Sequence, residues 1–146
     1  MNAVFKRKAT PEFINAHFVN NMIANVGIEF LEVGEDYLKA RMPVNEKTTQ
    51  TFGILHGGAS VVLAETVGSI GANLAVDEDY FCVGLEVNAN HLRTARSGFV
   101  YAIARPIHIG KAIQVWDIRI TEEEGKLVCI SRLTMAVRHK THNELR

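Results

Sequence analysis

The sequence predicts an α+β fold in which a curved antiparallel sheet wraps around one long central helix, and three observations carry that reading. The run HGGASVVLAETVGSIGANLAV, from His56 to Val76, is apolar nearly all round, and a helix of that kind is stable only inside something. After it the period changes from helical to two: Val83, Leu85, Val87 and Ala89 alternate with Gly84, Glu86, Asn88 and Asn90, as in a strand with one face buried. Three further strand-like runs follow, residues 99–107, 113–120 and 127–137, separated by Ser97-Gly98, Gly110 and the segment 122–125.

The elements before the long helix follow from local signals. Thr10-Pro11-Glu12 starts a short helix, with Thr10 as cap and Pro11 at the first helical position, leading into Phe13 and Ile14. Residues 20–25 add another helical turn. Residues 28–33 and 37–44 read as two strands of a hairpin joined across Gly34-Glu35-Asp36. Residues 45–53 are polar and carry no apolar period, so they form a loop that delivers Gln50 and the His56-Gly57-Gly58 step to the helix. The expected organisation is one domain over residues 1–140 and a polar, frayed tail over 141–146. A sheet around a single helix keeps an exposed edge or an uncovered face, so a homodimer is expected.

Composition narrows the function. The chain has 146 residues, a size suited to one core, and its 16 basic and 16 acidic residues cancel, so the overall charge recruits neither nucleic acid nor an anionic membrane. Cys82 and Cys129 have no CxxC spacing, and the first ten residues lack the apolar core of a signal peptide, which together point to the cytoplasm. The 57–76 stretch approaches spanning length, but Ser60, Glu65, Thr66, Ser69, Asn73 and four glycines make it a poor membrane span. None of the six histidines shows metal-ligand spacing with acids or cysteines, so no metal is expected.

Between Gly57 and Val76 the only charged side chain is Glu65. Burying an ionised carboxylate costs several kcal/mol, and the segment offers no Lys or Arg to offset it. Glu65 therefore either faces a cleft and does chemistry, or is satisfied by backbone donors or an Arg from elsewhere.

The run QTFGILHGGAS from Gln50 to Ser60, together with LAETVGS from Leu63 to Ser69, resembles the hotdog-fold acyl-CoA thioesterases of the PaaI-like branch. Residues 83–93, VGLEVNANHLR, carry the same resemblance, as do Pro106-Ile107-His108-Ile109-Gly110 and Gln114-Val115-Trp116. The similarity extends over residues 4–138 and is greatest to the subgroup of 1,4-dihydroxy-2-naphthoyl-CoA hydrolases of menaquinone synthesis and enterobactin-pathway proofreading thioesterases. An HGG step alone also occurs in α/β-hydrolases, but this chain has no G-x-S-x-G nucleophile turn.

The resemblance implies hydrolysis of an acyl-CoA with an aromatic or aryl-type acyl group, with no cofactor, coenzyme A being part of substrate and product. A thioester needs its carbonyl polarised and a water or carboxylate delivered to the carbon. Gly57 opens the helix, where N–H groups are free and the dipole favours negative charge, so its N–H suits the developing oxyanion. Glu65 takes the family's place of nucleophile or general base across a dimer interface, facing the other subunit's glycine donor. Gln50 is assigned a donor role toward the substrate carbonyl or the water, and His56 contact with the thioester sulfur or orientation of Gln50. Ser69, at i+4 from Glu65, either holds the carboxylate or the water, or bonds its own i−4 carbonyl. For the phosphates of coenzyme A the resemblance points to Asn90, His91, Arg93 and Thr94, joined by His108 and Gly110, with Arg96 and Lys111 beside them. Phe52, Val67, Ile70 and Phe81 shape the acyl pocket or belong to the core.

Two other readings share these residues. A broad-range proofreading thioesterase acting on acyl-CoA or acyl-carrier protein would dock the carrier on a basic patch of Arg93, Arg96 and Arg105. A non-catalytic acyl-CoA-binding domain would give no reason for a carboxylate beside the thioester.

Overall fold

The computed structural model describes residues 3–141. The expected frayed tail, residues 141–146, lies outside these apart from Thr141. Helix α1 (Pro11–Asn15) starts as expected, with the Thr10 hydroxyl accepting the Phe13 N–H. Helix α2 (Met22–Val26) is capped by Asn21 and ends on Gly27, whose φ of +79° is a left-handed conformation that a side chain disfavours. Strands β1 (Glu29–Val33) and β2 (Leu38–Pro43) form the hairpin. The long helix α3 (Gly57–Leu74) is followed by β3 (Tyr80–His91), β4 (Phe99–Ile109), β5 (Ile113–Thr121) and β6 (Leu127–His139).

All strand pairs are antiparallel, and the sheet runs β1-β2-β4-β5-β6-β3, so β1 and β3 are its edges. Helix α3 lies across the sheet, touching β2 through β6. Ser60, Leu63, Ala64, Val67, Gly68, Gly71 and Ala72 are buried at the i, i+3, i+4 spacing of one helical face. Against this face the sheet presents Leu38, Ala40, Met42, Val100, Ala102, Ala104, Trp116, Ile118, Ile120, Leu133 and Met135, all at most 1% exposed. Two helix glycines make that approach possible: a Cβ at Gly71 would lie 2.8 Å from the Trp116 ring, and one at Gly68 would lie 2.6 Å from Leu133.

The N-terminal segment straps the far end of α3. The N–H groups of Lys6 and Arg7 donate to the Leu74 carbonyl, the Arg7 guanidinium donates to the carbonyls of Val76, Asp77 and Tyr80, and Phe5 stacks on Trp116. The bonds to Leu74 satisfy a carbonyl that the helix end leaves open, and those from Arg7 hold the segment between α3 and β3.

One expectation fails on β3. The alternation predicts that Val83 and Leu85 are buried, yet they are 43% and 60% exposed. The cause is topological. β3 is an edge strand, and the register against β6 shifts between Gly84 and Glu86, leaving Leu85 as the extra residue of a bulge. Gly84, opposite Met135, and Val87, opposite Leu133, face the helix, so the bulge switches the alternation and turns Val83 to the outer face of the sheet.

Candidate active site

The N-terminus of α3 is built around its two glycines. His56 is the cap residue, and its imidazole Nδ1 accepts the Gly58 N–H at 2.8 Å. Its ring is thereby turned onto the helix end, not onto Gln50, and occupies the space a side chain at Gly58 would need. A Cβ at Gly57 would come within 2.9 Å of His91 Nε2, so the end of β3 packs directly on this residue. Among the described residues nothing accepts the Gly57 N–H, which as the first helical amide has no partner within the helix.

Gln50 is half-buried beside this end. Its side-chain carbonyl accepts the Phe52 N–H, which commits the oxygen to the loop and leaves the NH2 group to donate. Gln50, Gly57, Ser60, His91, Arg93 and Thr94 line one cleft of about 350 Å³, with Ile54, Leu55, Leu92 and Val128 as its apolar wall. Thr48 anchors the loop from below: its hydroxyl donates to the Pro43 carbonyl, and its own carbonyl accepts the His56 N–H. Phe52 projects from the loop at 82% exposure, whereas Val67 is wholly buried and belongs to the core.

Glu65 is elsewhere. It lies eight residues along α3 from Gly57, about 12 Å down the axis, and its carboxylate meets the edge strand. A Cβ at Gly84 would lie 2.7 Å from Glu65 Oε1. Met135, the cross-strand partner of Gly84, is beside it, and the Ser69 hydroxyl lies 3.7 Å from the Met135 sulfur. Ser69 thus shares the Glu65 face but bonds neither the carboxylate nor its own i−4 carbonyl.

One turn further, Asn73 fixes the helix to β3. Its Nδ2 donates to the carbonyls of Ser69 and Cys82, and its Oδ1 accepts the Cys82 N–H. The sequence reading missed Asn73, although Glu65, Ser69 and Asn73 recur at i, i+4 and i+8, a polar stripe on an otherwise apolar helix that marks the face turned to the edge strand.

The phosphate-binding candidates separate as well. His91, Arg93 and Thr94 join the Gly57 cleft, and Asn90 precedes them on β3. His108 and Gly110 lie at the β4–β5 turn, where the His108 ring fills the space above Gly110. Gly110 and Lys111 border a second hollow of about 480 Å³ with Lys6, Val76, Asp77 and Tyr80, at the opposite end of the helix. The basic patch expected of Arg93, Arg96 and Arg105 is divided. Arg93 and Arg96 line a hollow shared with Glu122, Glu123 and Glu124, whereas Arg105 pairs with Asp36 at 2.7 Å and stacks on Tyr37.

Cys82 and Cys129 are free and buried, and burial pushes the Cys82 thiol up to about 11 against the pull of Arg7. Among the described residues no helix is long and apolar enough to cross a membrane, and no three His, Cys, Asp or Glu side chains converge as a metal site would require.

Residues 52–129 match the family model described as the thioesterase superfamily. The chain is 49% identical over 134 residues to the 1,4-dihydroxy-2-naphthoyl-CoA hydrolase of Escherichia coli K12, an alignment covering 92% of this chain and 98% of that protein. It is 42% identical to the proofreading thioesterase EntH of Cronobacter turicensis, with the same coverage of both chains. Among solved structures, the thioesterase HI1161 of Haemophilus influenzae superimposes with a TM-score of 0.93 at 48% identity, covering 95% of this chain and 99% of that one. A sheet wrapped on a central helix, a helix that opens on a free glycine amide, and this sequence similarity agree: the chain belongs to the thioesterase superfamily and is a thioester hydrolase of the hotdog fold.

Proposed function

We propose that the protein hydrolyses an aryl-type acyl-CoA, with 1,4-dihydroxy-2-naphthoyl-CoA as the leading substrate, in a site that two protomers complete. The observation that carries the second half is the separation of the two reactive groups. In one chain the Gly57 amide opens to the Gln50 cleft, while the Glu65 carboxylate lies at the sheet edge. Gly57 touches His91 and Glu65 touches Gly84, two positions on the same edge strand. Antiparallel pairing of two such edges about a dyad near Val87 would lay Gly84 of one chain beside His91 of the other. That brings each Glu65 to the other chain's Gly57. Asn73 already occupies the edge at Cys82, so pairing takes the strand beyond it, where Val83 and Leu85 stand exposed. Two such dimers then associate as a tetramer.

In that site the Gly57 amide and the Gln50 NH2 group polarise the thioester carbonyl, and an oxyanion donor of this kind contributes about 3–4 kcal/mol to the transition state. Glu65 either takes a proton from the attacking water and returns it to the departing thiolate as the C–S bond breaks, or attacks the carbonyl carbon itself and expels the thiolate, leaving a mixed anhydride that water then hydrolyses. Either way one water is consumed and the products are the carboxylate, the thiol and one released proton. Arg93, His91 and Thr94, with Asn90 beside them, hold phosphate oxygens of coenzyme A, and His108 and Gly110 belong to the same arm reached from the second protomer. The dihydroxynaphthoyl group is favoured by the 49% identity to the E. coli hydrolase. Free coenzyme A is favoured over a carrier protein because the basic patch on which a carrier would dock is divided, Arg105 being paired with Asp36 away from Arg93 and Arg96.

The test is thiol release from benzoyl-, naphthoyl- and straight-chain acyl-CoAs, and from one aryl group on CoA and on carrier protein, for the wild type and Glu65→Gln. Rapid turnover of aryl-CoA, lost by orders of magnitude in the variant, is expected. Hydrolysis of no member of the panel that depends on Glu65 would overturn the proposal, and preference for the carrier-bound form would assign the protein to proofreading instead.

A further inference from the structure

We infer that Gly84 is a positioning residue for catalysis, the floor of a seat that holds the Glu65 carboxylate at the open edge of the sheet. The inference rests on the reading of Glu65 as the reacting carboxylate. Four observations converge on the seat. Oε1 of Glu65 fills the space a side chain at position 84 would take, 2.7 Å from where a Cβ would stand. Met135, paired with Gly84 across the strands, closes one side with its sulfur 3.9 Å from that same point, and the Ser69 hydroxyl rests on that sulfur at 3.7 Å. The β-bulge at Leu85 begins here, and bulges commonly re-aim a side chain beside an active site. Asn73, two turns along α3 from Glu65, bonds both backbone groups of Cys82 and so fixes the level at which Glu65 meets β3.

A bulge by itself does not demand glycine at this position. The φ of Gly84 is not in the left-handed region, which among glycines is reserved here for Gly27, Gly53, Gly98 and Gly125. The demand comes from the carboxylate. A methyl group at 84 would strike the end of a flexible side chain and not backbone, so the fold accommodates it by moving Glu65 alone. The substitution then displaces the reacting oxygen and little else, and a misplacement of about 1 Å costs roughly 100-fold in rate.

The experiment is a double-mutant cycle on thiol release with benzoyl- and naphthoyl-CoA, comparing wild type, Gly84→Ala, Glu65→Gln and the double variant. Gly84→Ala is expected to lower kcat by roughly 100-fold, with KM changed less than about threefold and thermal unfolding and oligomer size as in the wild type. In the Glu65→Gln background the alanine should have no further effect, because the group it displaces is already disabled. Full kcat in Gly84→Ala alongside an inactive Glu65→Gln overturns the inference and leaves the role of Glu65 intact, and an undiminished loss in the double variant overturns it too. An active Glu65→Gln removes the reading beneath it. Should Gly84→Ala fail to fold, Glu65→Ala/Gly84→Ala decides: recovery of folding shows that the carboxylate made the glycine necessary, and continued failure shows that the strand did.

Discussion

Asn73→Ala tests how the helix and the edge strand are held together. The side chain makes three hydrogen bonds: to Ser69 O at 2.9 Å, to Cys82 O at 3.2 Å and from Cys82 N at 2.9 Å. Each contributes about 1 kcal/mol net. The Cys82 groups lie on an edge strand where water can replace part of the loss, so the expected cost is about 2–3 kcal/mol, or roughly 5–10 °C in the midpoint of thermal unfolding for a domain of this size. Asn73→Asp should be worse, because it keeps the acceptor for Cys82 N but sets a carboxylate against two carbonyls that need donors. The assay is thermal unfolding at a fixed protein concentration with kcat and KM measured in parallel, and kcat should fall more than KM rises as Glu65 loses its level against Gly84. An alanine variant that melts within about 2 °C of the wild type with unchanged kcat would refute the role of Asn73 as the clamp.

His56 caps α3 through Nδ1, so His56→Ala should cost about 0.5–2 kcal/mol of stability while His56→Asn, a better cap, restores it; an Asn variant as stable as wild type but slow in turnover would give His56 a role on the substrate as well. Cys82 loses its proton near pH 9 in the unfolded chain and near 11 when folded, so between those values the unfolded state binds fewer protons and stability falls as pH rises. The contribution is fully present below pH 9 and on the order of 2–3 kcal/mol is lost by pH 11; denaturant titrations of Cys82→Ala should show a flatter alkaline limb, and an unchanged limb would place the loss elsewhere. Arg105→Ala, removing an exposed pair with Asp36, should leave turnover of CoA and carrier-bound substrates alike unchanged, and a selective loss with the carrier would reinstate a docking role.

The fold was legible wherever period and turn chemistry agree. The apolar run from His56, the Thr10-Pro11 start and the regularly spaced strands need only local rules. β3 is where those rules mislead, because the bulge at Leu85 reverses which alternate residues face the helix and leaves no mark in the alternation. The site was legible as residue types and not as geometry. Glu65 stood out as the lone charge on α3, yet the separation of its carboxylate from the Gly57 cleft depends on β3 passing both ends of that stretch of helix, a long-range pairing. His56 shows why a histidine before a glycine pair is ambiguous: the same imidazole suits a thioester sulfur and a helix cap, and only the ring orientation chooses. Gly84 and Asn73 were hidden by ordinariness, since a glycine in a strand and an asparagine in a helix acquire meaning only from what they touch.

If one site draws Glu65 and Gly57 from different protomers, two inactive variants should restore activity when mixed. Glu65→Gln lacks the carboxylate, and Gly57→Pro lacks the amide while suiting the first position of a helix. After dissociation and random reassociation in equal amounts, half the dimers are mixed and each carries one intact site, so activity should rise to about a quarter of wild type. If exchange is verified by mass and the mixture stays as inactive as its parents, the two groups act within one chain or not together, and the shared site is wrong.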